Sequence, residues 1–171
     1  MATTKFDGLE PRIHPQAYVH PSAQLLGDVL LGEDASVWPT CVLRGDNGQI
    51  AIGARTNFQD ASIAHATLGI SQTTVGTECT IGHRVILHGC TIGNNCLIGM
   101  GSIILDGVEI GDSSFVAAGS LITPGKIFPP NSFILGSPAK RVRDIAEHEL
   151  EIIKHSWVVY RDLAIKYRAG L

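Results

Sequence analysis

The sequence of 171 residues has few aromatic side chains, little charge and no long apolar run. Aromatic residues make up 6% of the chain, charged residues 17%, and the formal net charge is −3. This balance gives no electrostatic basis for binding nucleic acid or an anionic membrane, so we expect neither as a partner. The first residues lack the apolar segment of a secretion signal, and the four cysteines form no CxxC pair. We therefore expect a cytoplasmic protein with reduced thiols.

What the sequence contains instead is a small apolar residue at every sixth position. One series runs unbroken from Ile92 to Ile134, and earlier series run from Ile13 to Leu43, from Ile52 to Ala64 and from Val75 to Leu87. An amphipathic helix repeats every 3.6 residues and a half-buried strand every two, so neither accounts for a step of six. A parallel β-helix does, because each hexapeptide supplies a short strand and a turn. The sequence therefore predicts an all-β solenoid.

The step of six is similar to that of the hexapeptide-repeat family, a resemblance that implies a left-handed parallel β-helix with three hexads per coil. Because parallel crossovers in general favour the right-handed form, the handedness rests on the resemblance alone. We predict a single domain over residues 1–171, with the β-helix at about 11–136. A helical segment is predicted at about 140–169, where Asp144 and Glu147 resemble a capping box. Its apolar seam is expected to lie along the β-helix of its own subunit or of a neighbour.

The repeat is interrupted where the chain also carries residues with reactive side chains. Between Leu43 and Ile52 the step is nine, which leaves three extra residues. Between Ala64 and Val75 the step is eleven, which predicts an outward loop at residues 66–74. Insertions in a solenoid lie at its corners and usually share one functional face. These interruptions therefore indicate where a site is to be sought.

Three histidines, His65, His83 and His88, lie near these interruptions. His65 follows the inward residue Ala64 and His88 follows Leu87, so both should point outwards, whereas His83 stands in another phase of the repeat. Two imidazoles of one subunit and one of its neighbour are able to meet between two β-helices. Three imidazoles with an open fourth position are typical of catalytic zinc, and they accept iron or cobalt as well. Ordinary surface histidines are the alternative interpretation.

The motifs around these histidines resemble those of gamma-class carbonic anhydrases. They are Arg44-Gly45-Asp46, Asn57-Phe58-Gln59-Asp60, Ile81-Gly82-His83, His88-Gly89-Cys90 and Gly136-Ser137-Pro138-Ala139-Lys140. The resemblance extends from about Ile13 to Tyr167. It implies a homotrimer with one metal at each subunit interface. His65 and His88 would be ligands from one subunit, and His83 would come from the next.

The same resemblance gives three charged residues a role in assembly. Arg44, Asp46 and Asp60 match the inter-subunit ion pairs of that family. Because an arginine forms directional, charge-assisted bonds with carboxylates, these pairs would hold the trimer and hence the site. The alternative is a set of surface ion pairs, each worth about 0–1 kcal/mol.

Three further residues receive catalytic roles by the resemblance. Gln59 matches the residue that hydrogen-bonds the metal-bound water, and Asn57 lies beside it. An amide suits this role because it donates or accepts without competing as a ligand; capping of a coil corner is the alternative for both. Tyr160 matches a helix tyrosine that reaches the site in short family members. Packing along the apolar seam is the alternative for Tyr160.

The resemblance thus implies a carbonic anhydrase, a lyase that hydrates carbon dioxide to bicarbonate, with zinc as cofactor and iron or cobalt as alternatives. The sequence departs from the best-known members at two glutamates. Asn47 follows the aspartate of the first motif, and residues 66–74 contain no Asp or Glu. A missing proton shuttle would lower the activity. The alternatives are a metal-dependent acyl-coenzyme A thioesterase, a hexapeptide acyltransferase, and a metal-binding structural trimer with little turnover.

Overall fold

Short parallel strands stack along one axis in the structure, a computed structural model that describes residues 2–170. The two ends of the predicted domain, Met1 and Leu171, lie outside the described residues. The strands and the helix, in chain order, are β1 Ala2–Thr4, β2 Arg12–Ile13, β3 Tyr18–Val19, β4 Gln24–Leu31, β5 Ser36–Val37, β6 Val42–Ile52, β7 Asn57–Phe58, β8 Ile63–His65, β9 Thr73–Val75, β10 Thr80–Ile81, β11 Ile86–His88, β12 Thr91–Ile92, β13 Leu97–Ile98, β14 Ile103–Ile104, β15 Glu109–Ile110, β16 Phe115–Val116, β17 Leu121–Ile122, β18 Ile127–Phe128, β19 Ser132–Gly136, β20 Ala139–Asp144 and α1 Glu147–Ala169.

Three strands make one coil, and each strand pairs in parallel with the corresponding strand of the next coil. β10 pairs with β13, β11 with β14 and β12 with β15. One sheet has eight strands and covers one face of the prism. The other has twelve and covers two faces, because the long strand β6 pairs with β8 at one end and with β9 at the other. The predicted left-handed β-helix is confirmed, with about seven coils.

The residues at the sixth positions fill the interior of the prism. Leu43, Phe58, Ile81, Leu87 and Ile104 are all fully buried there. Burial of one such side chain contributes about 1.5–3 kcal/mol, so a column of them is the main source of stability. The period of six therefore predicted the core residue by residue.

The interruptions of the repeat appear as a bulge and a loop. In the pairing of β4 with β6, residues 46–49 lie opposite Asp28 alone, which accommodates the three extra residues. Residues 66–72 form the predicted loop, which ends two residues earlier than expected because β9 begins at Thr73. Both features lie beside the end of β8, so they bring polar residues next to His65.

The segment after Gly136 differs from the prediction of a helix over residues 140–169. β20 first turns back along β19 as an antiparallel strand, and Asp144 pairs with Ser132 in this ladder. Asp144 therefore does not cap the helix, and the capping box predicted there is wrong. The helix begins at Glu147, and the Ala146 amide donates to Oε2 of Glu149 at 2.7 Å.

Helix α1 packs against the β-helix of its own protomer, on the eight-stranded sheet. Its residues Ile153, Trp157 and Ala164 are buried, and Ala164 packs against Tyr18 and Trp38. Of the two expected positions for the apolar seam, the structure shows the one within the protomer. In residues 2–170 no helix is both long enough and apolar enough to span a membrane.

Candidate functional site

His65 and His88 lie side by side on adjacent coils. β8 and β11 pair in parallel with His88 opposite His65, and Nδ1 of His65 lies 3.2 Å from Nε2 of His88. The preceding residues Ala64 and Leu87 are fully buried in the prism. Because strand side chains alternate, both imidazoles point outwards, as the repeat predicted. The two side chains are nonetheless partly covered, with 13% and 30% of their surface exposed.

Each of these imidazoles has a carboxylate next to its far nitrogen, the ring nitrogen that points away from the other imidazole. Oδ1 of Asp46 lies 3.0 Å from Nε2 of His65, and Oδ2 of Asp106 lies 2.8 Å from Nδ1 of His88. A carboxylate accepts a hydrogen bond, so these partners assign the N–H of each ring to its far nitrogen. The two nitrogens that face each other then both present lone pairs. This donor set suits a transition metal, since metal-binding imidazoles commonly donate their other N–H to a carboxylate.

The bulge in β6 positions Asp46. The carboxylate accepts a hydrogen bond from Nη1 of Arg44 at 2.6 Å as well as that from His65. Burial alone would raise the pKa of Asp46, but these hydrogen bonds outweigh burial and hold it below its usual value. Asp46 is therefore a carboxylate at neutral pH. Arg44 and Asp46 pair within one protomer here, and their role between subunits stays a prediction.

Asp106 connects His88 to the loop at residues 66–72. Its Oδ1 accepts a hydrogen bond from the Ser71 hydroxyl at 2.6 Å, and that hydroxyl accepts one from the Thr67 amide at 3.0 Å. Burial opposes ionisation of Asp106, yet the hydrogen bonds from Ser71, His88 and Thr67 lower its pKa below the usual value. Neither Asp106 nor Ser71 was among the predicted site residues. The spacing of the coils was the signal that could have found Asp106, because Asp106 lies 18 residues after His88, the length of one coil of three hexads.

His83 lies at a different corner of the prism, in the turn between β10 and β11. Its Nδ1 lies 2.9 Å from Oδ2 of Asp60, and its Nε2 lies 3.5 Å from the Tyr160 hydroxyl. Burial, together with the charge of Asp60, raises the pKa of Tyr160. The predicted residues thus form two groups, one around His65 and His88 and one around His83. Over residues 2–170, no three His, Cys, Asp or Glu side chains of one protomer converge as a metal site, so the metal stays a prediction.

Asn57 lies in β7 of the eight-stranded sheet, Gln59 directly follows that strand, and both are almost fully buried. Nε2 of Gln59 donates to Oδ1 of Asn57 at 3.0 Å, and Nδ2 of Asn57 donates to the Thr80 hydroxyl at 2.9 Å and to the Cys79 carbonyl at 3.2 Å. The bonds from Asn57 tie one coil to the next, whereas the bond from Gln59 stays within one coil. Catalytic roles for the two amides stay predictions.

An open groove of about 430 Å³ runs beside His65, between the bulge and the loop. Asn47 and Gly48 form one side, and residues 69–72 form the other. None of the described residues that line this groove is charged. Nδ2 of Asn47 lies 3.4 Å from Nε2 of His65, so one wall of the groove borders the imidazole pair. The groove is suited to an uncharged group next to the two histidines.

Comparison with known proteins finds hexapeptide transferases. Residues 89–124 match the family model described as bacterial transferase hexapeptide (six repeats), and residues 72–105 match the hexapeptide repeat of succinyl-transferase. The carnitine operon protein CaiE of Citrobacter koseri is 43% identical over 171 residues, which cover all of this chain and 86% of the relative.

Two solved structures are also similar. A hexapeptide transferase family protein of Anaplasma phagocytophilum is 38% identical, with a TM-score of 0.93 over 97% of this chain and 98% of the other. A galactoside acetyltransferase in complex with coenzyme A is 30% identical, with a TM-score of 0.56 over 71% of this chain and 66% of the other.

The comparisons correct one expectation. Relatives that match 97% or more of this chain are named as a carnitine operon protein and as a hexapeptide transferase family protein. These names point to transferase activity, so the prediction of a gamma-class carbonic anhydrase, a lyase acting on carbon dioxide, is wrong. The reason is physical. The motifs around the histidines specify an outward cluster of imidazoles and carboxylates on a β-helix, and this cluster does not determine which reaction it serves.

Proposed function

Because the chain belongs to the hexapeptide-repeat transferase family, we propose that it transfers an acyl group from a coenzyme A thioester. The observation that carries this proposal is the uncharged groove whose wall residue Asn47 contacts His65 of the His65–His88 pair. A groove of this kind accommodates a short acyl group and leaves its reactive carbon near the imidazoles. The similarity to a galactoside acetyltransferase that binds coenzyme A supports the choice of donor.

The reaction is proposed to take place between protomers of a homotrimer. His65 and His88 of one protomer and His83 of the next would together hold a transition metal, with zinc first and iron or cobalt as alternatives. The facing lone pairs of His65 and His88 fit such an ion. When bound, the metal would supply Lewis-acid polarisation of the thioester carbonyl.

The residues of the chain have separate tasks in this scheme. Asp46 and Asp106 orient the two imidazoles through their far nitrogens. Tyr160 keeps its proton at neutral pH, because its pKa is raised, so its hydroxyl is available to donate a hydrogen bond to the substrate beside His83. The bond from the acyl carbon to sulfur breaks as a bond to the acceptor oxygen or nitrogen forms. The proton lost by the acceptor ends on the coenzyme A thiolate; with water as acceptor the reaction is thioester hydrolysis.

The test is release of the coenzyme A thiol from acetyl- and succinyl-coenzyme A, measured with a thiol reagent. The assay is run with water alone and with a panel of hydroxyl and amine acceptors, which separates hydrolysis from transfer. His88→Ala is expected to reduce the rate by a factor of about 100 or more. His155→Ala is the matched control, since His155 is exposed on α1 and is not one of the residues of the proposed site. Thiol release that is absent with every acceptor, or equal in both variants, would contradict the proposal.

A further inference from the structure

A second cavity lies between α1 and the prism, next to the His83 group. It has a volume of about 280 Å³, and three of the residues that line it are aromatic, namely Trp38, Tyr160 and Tyr167. His20, Pro39, Asp60 and Leu163 also line it. The aromatic residues are few in this chain, and their concentration around one cavity calls for an explanation beyond helix packing.

The Trp38 ring is set nearly at a right angle to each of the two tyrosine rings. The Trp38 ring lies 5.2 Å from that of Tyr160 at an interplanar angle of 82°, and 5.4 Å from that of Tyr167 at 89°. Nε1 of Trp38 donates to the Ser36 hydroxyl at 3.0 Å, which fixes the indole. The buried Tyr18 ring supports Trp38 at 5.3 Å. The tyrosine rings and the Trp38 ring therefore lie in different planes, and the aromatic side of the cavity is not one flat surface.

The electrostatic character of this cavity favours a cation. Each aromatic ring presents a negative face, and cations are attracted within about 6 Å of a ring centroid. Asp60 adds a carboxylate at the rim, with 44% of its side chain exposed in the isolated protomer. Among the described residues that line the cavity, none is a lysine or an arginine; the one histidine, His20, has its Nδ1 2.8 Å from the Ser22 hydroxyl. Asp60 also pairs with His83, so a ligand at this rim would lie beside the proposed catalytic groups.

We propose that this cavity binds a quaternary ammonium group. Aromatic rings make up much of its wall, so a primary ammonium would exchange most of its hydrogen bonds to water for contacts with ring carbons. A trimethylated nitrogen has no N–H to satisfy and takes full advantage of the rings. A neutral group of the same shape would gain nothing from Asp60. This binding site does not depend on the acyl transfer proposed above, and its test uses no activity measurement.

Tryptophan fluorescence gives a direct test, because the chain has only two tryptophans. Trp157→Phe leaves Trp38 in the cavity as the sole indole. Choline chloride and tetramethylammonium chloride are titrated at constant ionic strength against 3,3-dimethylbutan-1-ol, the uncharged isostere of choline. We expect saturable changes in Trp38 emission with both cations and an affinity for the alcohol at least about tenfold weaker. Equal affinity for choline and the alcohol, or no saturation with either cation, would overturn the proposal.

A substitution in the wall of the cavity adds a second test. Tyr167 is 54% exposed, so its replacement should leave the fold intact. Tyr167→Leu keeps apolar surface but removes a ring face, and we expect choline binding to weaken about fivefold while the weak binding of the alcohol is unchanged. Tyr167→Phe is the matched control that should retain choline binding. Saturation-transfer NMR from the unsubstituted chain to the N-methyl protons repeats the comparison without Trp157→Phe. Choline binding that is equal in the Leu and Phe variants would contradict the assignment of the site.

Discussion

The carboxylate of Asp106 lies 2.8 Å from Nδ1 of His88 and fixes which nitrogen of that imidazole faces His65. The other oxygen of Asp106 accepts a hydrogen bond from Ser71. One carboxylate thus links the orientation of His88 to the position of the loop. The position of the loop in turn shapes the groove proposed to hold the acyl group.

Asp106→Asn should weaken metal binding without unfolding the protein. The amide no longer offers a charged acceptor to His88, and loss of such a partner typically lowers metal affinity by about 10–100-fold. Zinc affinity is measured by competition with a chromophoric chelator. Glu109→Gln, an exposed residue in β15, removes the same charge as a control. Unchanged zinc affinity in Asp106→Asn would show that the carboxylate does not act through His88.

Gly89→Ala should displace the Asp106 carboxylate and the Ser71 hydroxyl, which connect His88 to the loop. Gly89 has a φ of +65°, and a Cβ there would overlap the Asp106 carboxylate and the Ser71 hydroxyl. Gly101→Ala is the matched control, since Gly101 has a φ of +69° but open space around the added carbon. We expect both variants to lose about 1 kcal/mol from backbone strain, and Gly89→Ala to lose about 1–3 kcal/mol more. Urea unfolding measures the difference, and equal losses would contradict the overlap.

Glu149→Gln should destabilise the protein at neutral pH but not in acid. Hydrogen bonds from Arg143 lower the pKa of Glu149 from its usual 4.5 to about 2, against the opposing effect of burial. A depressed folded-state pKa means that the carboxylate stabilises the fold above pH 4.5 and that this contribution is lost as the pH falls towards 2. We expect Glu149→Gln to lower the free energy of unfolding by about 1–3 kcal/mol at pH 7.

The pH dependence is measured by urea unfolding of both proteins between pH 7 and pH 2. The difference between the unsubstituted chain and Glu149→Gln should shrink through this range. Glu151→Gln is the control, because Glu151 is exposed on the same helix. A difference that stays constant with pH would mean that the ion pair with Arg143 is not its source.

The sequence predicted the parts of the fold that depend on local periodicity. The step of six identified Leu87 as an interior residue, and its alternation then turned His88 outwards, as observed. It did not predict β20, because the charged run Lys140–Asp144 has no strand pattern of its own and forms a strand only through pairing with β19. The sequence also did not determine which reaction the site catalyses. Imidazoles and carboxylates of this kind serve several chemistries, and the groove that favours one of them exists only in the folded chain.

Activity of a mixture of two inactive variants tests most directly whether neighbouring protomers share one catalytic site. His83→Ala and His88→Ala are each expected to release little coenzyme A thiol alone. When the two variants are co-expressed as trimers, a His83→Ala protomer still offers His65 and His88, and a neighbouring His88→Ala protomer still offers His83. Random assembly would restore about a quarter of the sites and a matching share of the activity. A mixture no more active than its separate components, or a His83→Ala variant with full activity, would contradict the shared site.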